Sequence, residues 1–245
     1  MTGVQTCALP ILSLMVGSAR IDENGKISGG KPGDQTGNEV STQPYYVHSK
    51  GWICMRAKSV PVANAIAKAM LQACENDNIG YCQGHRTTVI GQLRKSGSLA
   101  KISAKTEADC SSLVRACCIQ AGFDPGNFNT SAEVSALKAS KQFTEPITVT
   151  SGTKLYNGDI LVTKTKGHTV VVVSGNPRQA VSYYPKYKGA SGSIVAALAA
   201  VGEKDTSKAH RAKIAAANGI KNYAYTAAQN LEMVNLLKKG KLIKA

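Results

Sequence analysis

Two residues of this 245-residue chain have the types and settings that nucleophilic catalysis requires, Cys110 and His168. Cys110 opens the string CSSLVRACCIQAG, in which apolar residues recur at helical spacing up to Gly122, a natural stop. The pattern predicts an amphipathic helix over 109–122 with Cys110 in its first turn. Because the partial positive charge of a helix start stabilises a thiolate, we expect the pKa of this thiol to be lowered.

His168 opens the string HTVVVV after a Lys-Gly turn. The β-branched run predicts a strand over 169–173, and the Gly158-Asp159 turn predicts another over 160–163. A third strand is expected near 180–184, so that the three form an antiparallel meander. An imidazole at the start of the central strand can project into a cleft and take the proton of a thiol.

Four strings occur in a fixed order: GYCQG from Gly80, DCSSLV, GDILV and GHTVVVVSG. Together they resemble the NlpC-type and CHAP-type cysteine peptidases of bacterial cell walls, over roughly residues 75–185. The resemblance implies an α+β, papain-like core in which N-terminal helices pack on an antiparallel sheet. It also implies a phage endolysin that cleaves an amide bond of the wall peptide and uses no cofactor and no metal.

The same resemblance implies a role for each residue that it matches. Cys110 would be the nucleophile and His168 the base, while Tyr81, Asp109 and Ser111 would support the pair or bind substrate. The family completes its triad with a polar residue on the strand after the histidine, and no histidine follows there. The polar choices in this chain are Asn176, Gln179 and Ser182, and Asn176 is the candidate for the third member.

The seven cysteines include no pair at the two-residue spacing of a zinc knuckle or a redox motif. We therefore expect a reduced protein in which most cysteines are small buried hydrophobes, and no metal site. A packing role is expected for Cys82. The other histidines, His48, His85 and His210, are interpreted as surface or packing residues.

The N-terminal string GVQTCALPI resembles a translated sequencing adapter, and residues 1–17 are predicted to be an artefactual or unstructured leader. The segment lacks the basic start of a secretory signal, which predicts a protein made in the host cytoplasm that acts at the wall. Residues 18–184 would form the catalytic domain, with loops and short strands such as 45–47 over 18–52 and a helix over 59–76. No apolar run reaches the length of a membrane span.

A linker over 185–193 is predicted to lead into a three-helix module at 194–245, with helices over 194–201, 207–217 and 226–239. From 190 onwards nine lysine or arginine residues face three acidic residues. The module resembles C-terminal repeats on lysins of phages that infect Gram-positive bacteria, which implies binding to the cell wall.

The whole chain carries 30 basic and 15 acidic residues, a net charge of +15, which favours an anionic partner. Peptidoglycan with its anionic wall polymers is the expected partner. Nucleic acid is not expected, because the helical module has only Arg211 where an arginine-rich recognition helix would be needed. Two alternatives stay open: an inactive wall-binding or structural phage protein on the same fold, and a cysteine acyltransferase or protease acting on protein. The oligomeric state is not predicted.

Overall fold

The computed structural model describes residues 13–178 and 182–245, which divide into two compact units with the boundary after Gln179. The strands of the first unit are β1 (Met15–Ala19), β2 (Val40–Pro44), β3 (Trp52–Met55), β4 (Ile79–Tyr81), β5 (Thr106–Ala108), β6 (Ile147–Thr148), β7 (Ile160–Thr163) and β8 (Thr169–Ser174). Six of them form one sheet in the order β2-β1-β8-β7-β3-β6, and every neighbouring pair is antiparallel. The other two, β4 and β5, form a separate parallel pair.

The helices of the first unit are α1 (Val60–Cys74), α2 (Thr88–Ser96), α3 (Cys110–Gln120) and α4 (Glu133–Ala139). Helices α1, α3 and α4 contact the six-stranded sheet, whereas α2 packs against α3 and β5. Pro61 occupies the first turn of α1, where its missing N–H costs no hydrogen bond. Ile66 and Met70 of α1 are fully buried in the main core, together with Leu113 and Val114 of α3. The α+β prediction, with helices packed on an antiparallel sheet, is confirmed at this level.

Side chains of β8 alternate between two cores, as the period of two in a strand requires. Val171 and Val173 join the main core beneath α1 and α3. Val170 and Val172 join a smaller core that contains Trp52. His168 lies two residues before Val170, so its side chain points to the same side of the sheet as Val170 and Trp52.

The predicted elements around the candidate site agree with the structure to within two residues at each end. The helix predicted over 109–122 is Cys110–Gln120, and the strands predicted over 160–163 and 169–173 are Ile160–Thr163 and Thr169–Ser174. The helix predicted over 59–76 is Val60–Cys74. Local patterning was sufficient here because each element has a clear period and a stop signal.

Three predicted segments of the first unit differ from the structure. The leader predicted over 1–17 overlaps β1, which begins at Met15 and pairs with both β2 and β8; residues 1–12 lie outside the described residues. The third strand of the meander is absent from the sheet, because β8 has β1 as its second neighbour. Of that predicted segment, residues 180 and 181 lie outside the described residues. The short strand near 45–47 is replaced by β2, which ends at Pro44.

The second unit has three helices, α5 (Ile194–Ala200), α6 (Lys208–Ala217) and α7 (Ala227–Lys238), which match the predicted spans to within one residue at each end. The predicted cap Thr226 accepts a hydrogen bond from the N–H of Gln229. Tyr187, within the segment predicted as a linker over 185–193, is buried in the core of this unit together with Tyr184. In neither unit is any described helix both long and apolar enough to cross a lipid bilayer.

Candidate active site

Cys110 is the first residue of α3, and the start of that helix is held by a reciprocal cap. Asp109 Oδ1 accepts the N–H of Ser112 at 2.6 Å, and Ser112 Oγ accepts the N–H of Asp109 at 2.9 Å. Ser111 Oγ donates to the same carboxylate oxygen at 3.0 Å. Because all three bonds converge on Asp109, the direction in which Cys110 leaves the helix is fixed.

Arg86 ties this helix start to its surroundings. Its Nε donates to Asp109 Oδ2 at 2.6 Å, and its Nη2 donates to Ser111 Oγ at 3.0 Å and to the carbonyl oxygen of Phe128. Both carboxylate oxygens of Asp109 are therefore engaged, one by the helix cap and one by a guanidinium. An Arg–carboxylate contact of this length is a charge-assisted hydrogen bond, which fixes geometry better than a neutral one.

The Cys110 thiol is only 8% exposed, and its environment opposes ionisation. Its pKa is raised to about 12, mainly by burial, and the neighbouring carboxyl groups of Asp109 and Glu133 contribute to that rise. The backbone N–H groups of Thr169 and Ser111 face the sulphur and lower the pKa by less. The expectation of a lowered thiol pKa was wrong, because desolvation and two nearby carboxyl groups outweigh the helix start.

His168 lies directly before β8 and is fixed through its backbone. Its N–H donates to Thr163 Oγ1 at 3.2 Å, and its carbonyl oxygen accepts the Thr163 N–H at 3.0 Å. Its ring is 6.4 Å from the ring of Trp52, centroid to centroid. The pKa of His168 is lowered to about 4, mainly by burial, with smaller contributions from the charges of His48 and Arg20. The imidazole is therefore neutral at pH 7.

Four rings form an aromatic cluster at this end of the sheet: Tyr46, His48, Trp52 and His168. His48 Nδ1 accepts the N–H of Lys50 at 3.0 Å, so a neutral His48 carries its proton on Nε2. Burial raises the pKa of Tyr46, and the Cys110 thiol adds to that rise. The aromatic cluster thus lies within electrostatic range of the candidate nucleophile.

A cavity of about 340 Å³ opens in front of Cys110. Its lining comes from the α3 start, the segment after β4, the loop before α4 and the β7–β8 turn: Gln83, Arg86, Asp109, Cys110, Ser111, Asn129, Thr130 and Gly167. Gly167, at one end of this lining, directly precedes His168 in the chain. Within the described residues no hydrogen bond joins Cys110 to the His168 ring, which packs beside Trp52 instead.

Four of the predicted site residues lie together. Tyr81 is buried at the end of β4, where burial raises its pKa to about 12 and the Cys110 and Asp109 charges contribute to that rise. Asp109 and Ser111 flank Cys110 in the cap described above. His168 directly precedes Thr169, whose backbone N–H faces the Cys110 sulphur.

Asn176 does not belong to this group, which corrects its assignment as third member. It lies beyond the far end of β8, where its Nδ2 donates to the carbonyl oxygen of Leu155 at 3.0 Å. The six residues of β8 separate it from His168 by roughly 20 Å at the usual rise of a strand. His48, from the segment between β2 and β3, lies in the same aromatic cluster as His168, and the Trp52 ring packs against both.

Two site residues were missed by sequence reasoning, Arg86 and Glu133. Glu133 is fully buried at the start of α4 and its Oε1 accepts a hydrogen bond from Thr169 Oγ1 at 2.8 Å. Burial raises its pKa well above the usual range, which favours the neutral carboxyl next to Cys110. A charged residue at a helix start normally faces water, so the pattern alone gave no signal of this burial.

The family model of an endolysin-like domain matches residues 16–179, more than half of the chain and all of the candidate site. Comparison of the chain with curated proteins and with solved structures gave no match. The chain therefore belongs to the endolysin-like domain family.

Proposed function

We propose that the protein is a cysteine peptidoglycan hydrolase in which Cys110 attacks an amide bond of the wall peptide and His168 is the general base. One observation carries the proposal. The thiol stands at a rigidly capped helix start and lines a cavity that reaches Gly167, the residue before the imidazole. The family match supports peptidoglycan as the substrate.

In the proposed reaction the Cys110 thiol passes its proton to the neutral imidazole of His168 while the sulphur attacks the amide carbon. The carbonyl oxygen becomes an oxyanion, and the N–H groups of Ser111 and Thr169, which face the sulphur, are placed to donate to it. The intermediate then collapses and the leaving amine takes the proton from the imidazolium. Water, deprotonated by His168, hydrolyses the thioester, which restores the thiol and releases the acid.

The proposed reaction requires His168 to turn away from Trp52. Rotation about its Cα–Cβ bond, with the backbone held by Thr163, would swing the ring towards the cavity. We assign to His48 the role of a positioning residue in place of Asn176, because it shares the aromatic cluster with His168 and its neutral form carries a donor on Nε2. A third member of this kind orients the base and selects its tautomer.

The proposal extends to the NlpC-type or CHAP-type subtype with a papain-like core. In support, the helix that carries Cys110 packs on an antiparallel sheet, and the strand that follows His168 lies at the centre of that sheet. Tyr81, which the resemblance placed upstream of the nucleophile, lies beside it.

The test measures clearing of purified Gram-positive walls by the full chain. Cys110→Ala and His168→Gln should abolish clearing, while Cys74→Ala, a half-buried thiol of α1 outside the site, should leave it intact. Mass spectrometry of the wall digest then identifies the bond from its new termini. Clearing by Cys110→Ala at the wild-type rate would refute the nucleophile.

A second candidate, an inactive wall-binding protein on the same fold, is favoured by the buried neutral thiol and by the packing of His168 against Trp52. Wild-type protein that pellets with walls but releases no fragments would support this second candidate. Release of fragments that depends on Cys110 would exclude it.

We further propose that the second unit binds anionic wall polymers through a basic–aromatic surface on α6 and the segment after it. Lys208 Nζ and the Arg211 guanidinium each lie 5.6 Å from the centre of the Tyr225 ring. Tyr223 packs edge-on against Tyr225 at 4.7 Å and lines a cavity of about 550 Å³ with Lys221. Cations supply attraction to polymer phosphates, and exposed rings supply flat surfaces for sugars.

Pelleting of the full chain with walls tests this surface. Tyr225→Ala together with Lys208→Glu should reduce pelleting, and added salt should weaken the wild-type interaction because exposed charges are screened. Tyr183→Ala is the matched control, since Tyr183 is 51% exposed in the same unit and lies outside the basic–aromatic surface. Equal pelleting of both variants would remove this assignment while leaving the proposed catalysis untouched.

A further inference from the structure

A second group of reactive side chains lies outside the candidate active site, in the segment that follows β4. Cys82, His85 and Glu107 place one donor atom each within 4.8 Å of one another. Cys82 and His85 lie three residues apart on one turn, and Glu107 lies on β5, which pairs with β4. We propose that these three residues form a zinc-binding site.

The distances between the donor atoms fit a tetrahedral ion. Cys82 Sγ is 3.6 Å from His85 Nδ1, and the same nitrogen is 3.2 Å from Glu107 Oε2. Usual zinc–ligand bond lengths and tetrahedral angles put sulphur and nitrogen about 3.6 Å apart, and nitrogen and oxygen about 3.3 Å apart. The same nitrogen of His85, Nδ1, faces both the Cys82 thiol and the Glu107 carboxylate, which is how three ligands surround a common ion. This arrangement is not that of a catalytic triad, in which the two partners use different ring nitrogens.

Glu107 provides an independent sign that a partner belongs here. Its side chain is 5% exposed, and its second oxygen, Oε1, is buried with no hydrogen-bond partner among the described residues. An unpaired carboxylate oxygen in a protein interior is costly, and a cation beside this carboxylate would reduce that cost.

The surroundings of the sulphur also suit a metal thiolate. The backbone N–H of His85 donates to Cys82 Sγ at 3.3 Å, a contact that stabilises negative charge on sulphur. On the other side, Gly29 packs so closely that an added Cβ would overlap the sulphur, and its φ of +90° suits glycine. Zinc binding would release the thiol proton, which is now donated to the carbonyl oxygen of Ser28.

The His85 side chain is 72% exposed while Cys82 and Glu107 are buried, so the cluster lies at the surface, where water can supply a fourth ligand. Three protein ligands and one water match the coordination number of zinc, and a thiolate among the ligands disfavours magnesium and calcium. A bound ion would fasten the turn that carries Gln83 and Arg86, two residues that line the Cys110 cavity. This effect on the cavity rests on the proposed function, whereas metal binding does not.

The test measures metal in the full chain, purified without chelators, saturated with zinc and then dialysed. We expect about one zinc ion per chain for the wild type, and loss of nearly all of it in His85→Gln and Cys82→Ser. Cys74→Ser and Cys110→Ala are the matched controls, and both should keep the ion. Exposed His85 can be replaced without disturbing the core, so loss of zinc in that variant does not report misfolding.

Cobalt substitution supplies a second readout. A cobalt–thiolate bond gives a charge-transfer band in the near ultraviolet, which should be present in Cys110→Ala and absent in Cys82→Ser. Wild-type protein that holds no zinc after saturation, or a band that survives in Cys82→Ser, would overturn the site. A zinc-binding protein that clears no walls would refute the proposed function and leave this inference standing.

Discussion

His168 should make the first unit less stable in mild acid, by an amount that follows from its pKa. In the folded protein burial and the cations His48 and Arg20 lower that pKa to about 4, from an ordinary value of 6.5. Between these two pH values the unfolded chain binds a proton that the folded chain does not. The free energy of unfolding must therefore fall as the pH falls through this window.

The size of the effect follows from 1.36 kcal/mol for each unit of pKa difference. At pH 7 the group contributes almost nothing, since both states are neutral. At pH 5 the unfolded imidazole is charged and the folded one is not, which costs about 2 kcal/mol of stability. Below pH 4 the cost reaches a limit of about 3 kcal/mol.

Urea unfolding followed by tryptophan fluorescence measures this cost in the correct unit. Trp52 is the single tryptophan of the chain and is 1% exposed in the first unit, so its emission reports the unfolding of that unit alone. The comparison is between wild type and His168→Gln at pH 7 and pH 5. The wild type should lose about 2 kcal/mol more than the variant over this range.

The comparison isolates one group because every other titrating residue is common to the two proteins. His210→Gln, which removes a histidine from the second unit, should follow the wild type. Equal losses in wild type and His168→Gln would show that the imidazole titrates normally. The desolvated imidazole that the proposed mechanism uses would then be excluded.

Four more predictions concern the same unit. Replacing His48 by Gln removes a cation that faces His168, so the pKa of His168, read from its ring signals by NMR, should rise above about 4; an unchanged value would exclude the contact. Asp159→Ala leaves Arg56 half-buried without the carboxylate that it contacts at 2.8 Å, and should cost about 3 kcal/mol in urea unfolding. Gly158→Ala should destabilise strongly, because φ is +79° and an added Cβ would overlap the carbonyl oxygen of Ala63, whereas Gly91→Ala in open space on α2 should stabilise by about 1 kcal/mol. Wall clearing should persist at pH 9, because a neutral imidazole is the active form of the base; a fall with an apparent pKa near 8 would indicate a resting thiolate–imidazolium pair instead.

Local sequence patterns were sufficient to predict the elements that carry Cys110 and His168. The helix start at Cys110 was readable because an N-cap residue precedes a 3.6-residue apolar period and glycine ends it. The strand after His168 was readable because four valines follow a threonine. Both signals act within about ten residues, the range over which propensity and capping decide structure.

The neighbours of these residues could not be read in the same way. β1 lies next to β8, and Arg86 binds Asp109, through contacts between segments that are far apart in sequence and have no shared period. Asn176 was chosen because the resemblance implies a polar third member after the histidine strand, but the extended strand β8 carries this residue away from His168 along its own length. His48 was dismissed for the opposite reason, since only the fold brings its segment across the sheet.

The proton of Cys110 decides how the proposed site can work. A resting thiolate–imidazolium pair needs a thiol whose pKa lies below that of the imidazole. Here the order is reversed, about 12 for Cys110 and about 4 for His168, because burial acts on both and because Arg20 and His48 oppose a positive ring. Mutual attraction between sulphur and ring can invert the order only after the ring leaves Trp52 for the cavity. Activation is then a change of geometry, and alkylation of Cys110 at pH 7 should be slow in the free protein. Faster alkylation in a His168 variant would show that the ring itself shields the thiol.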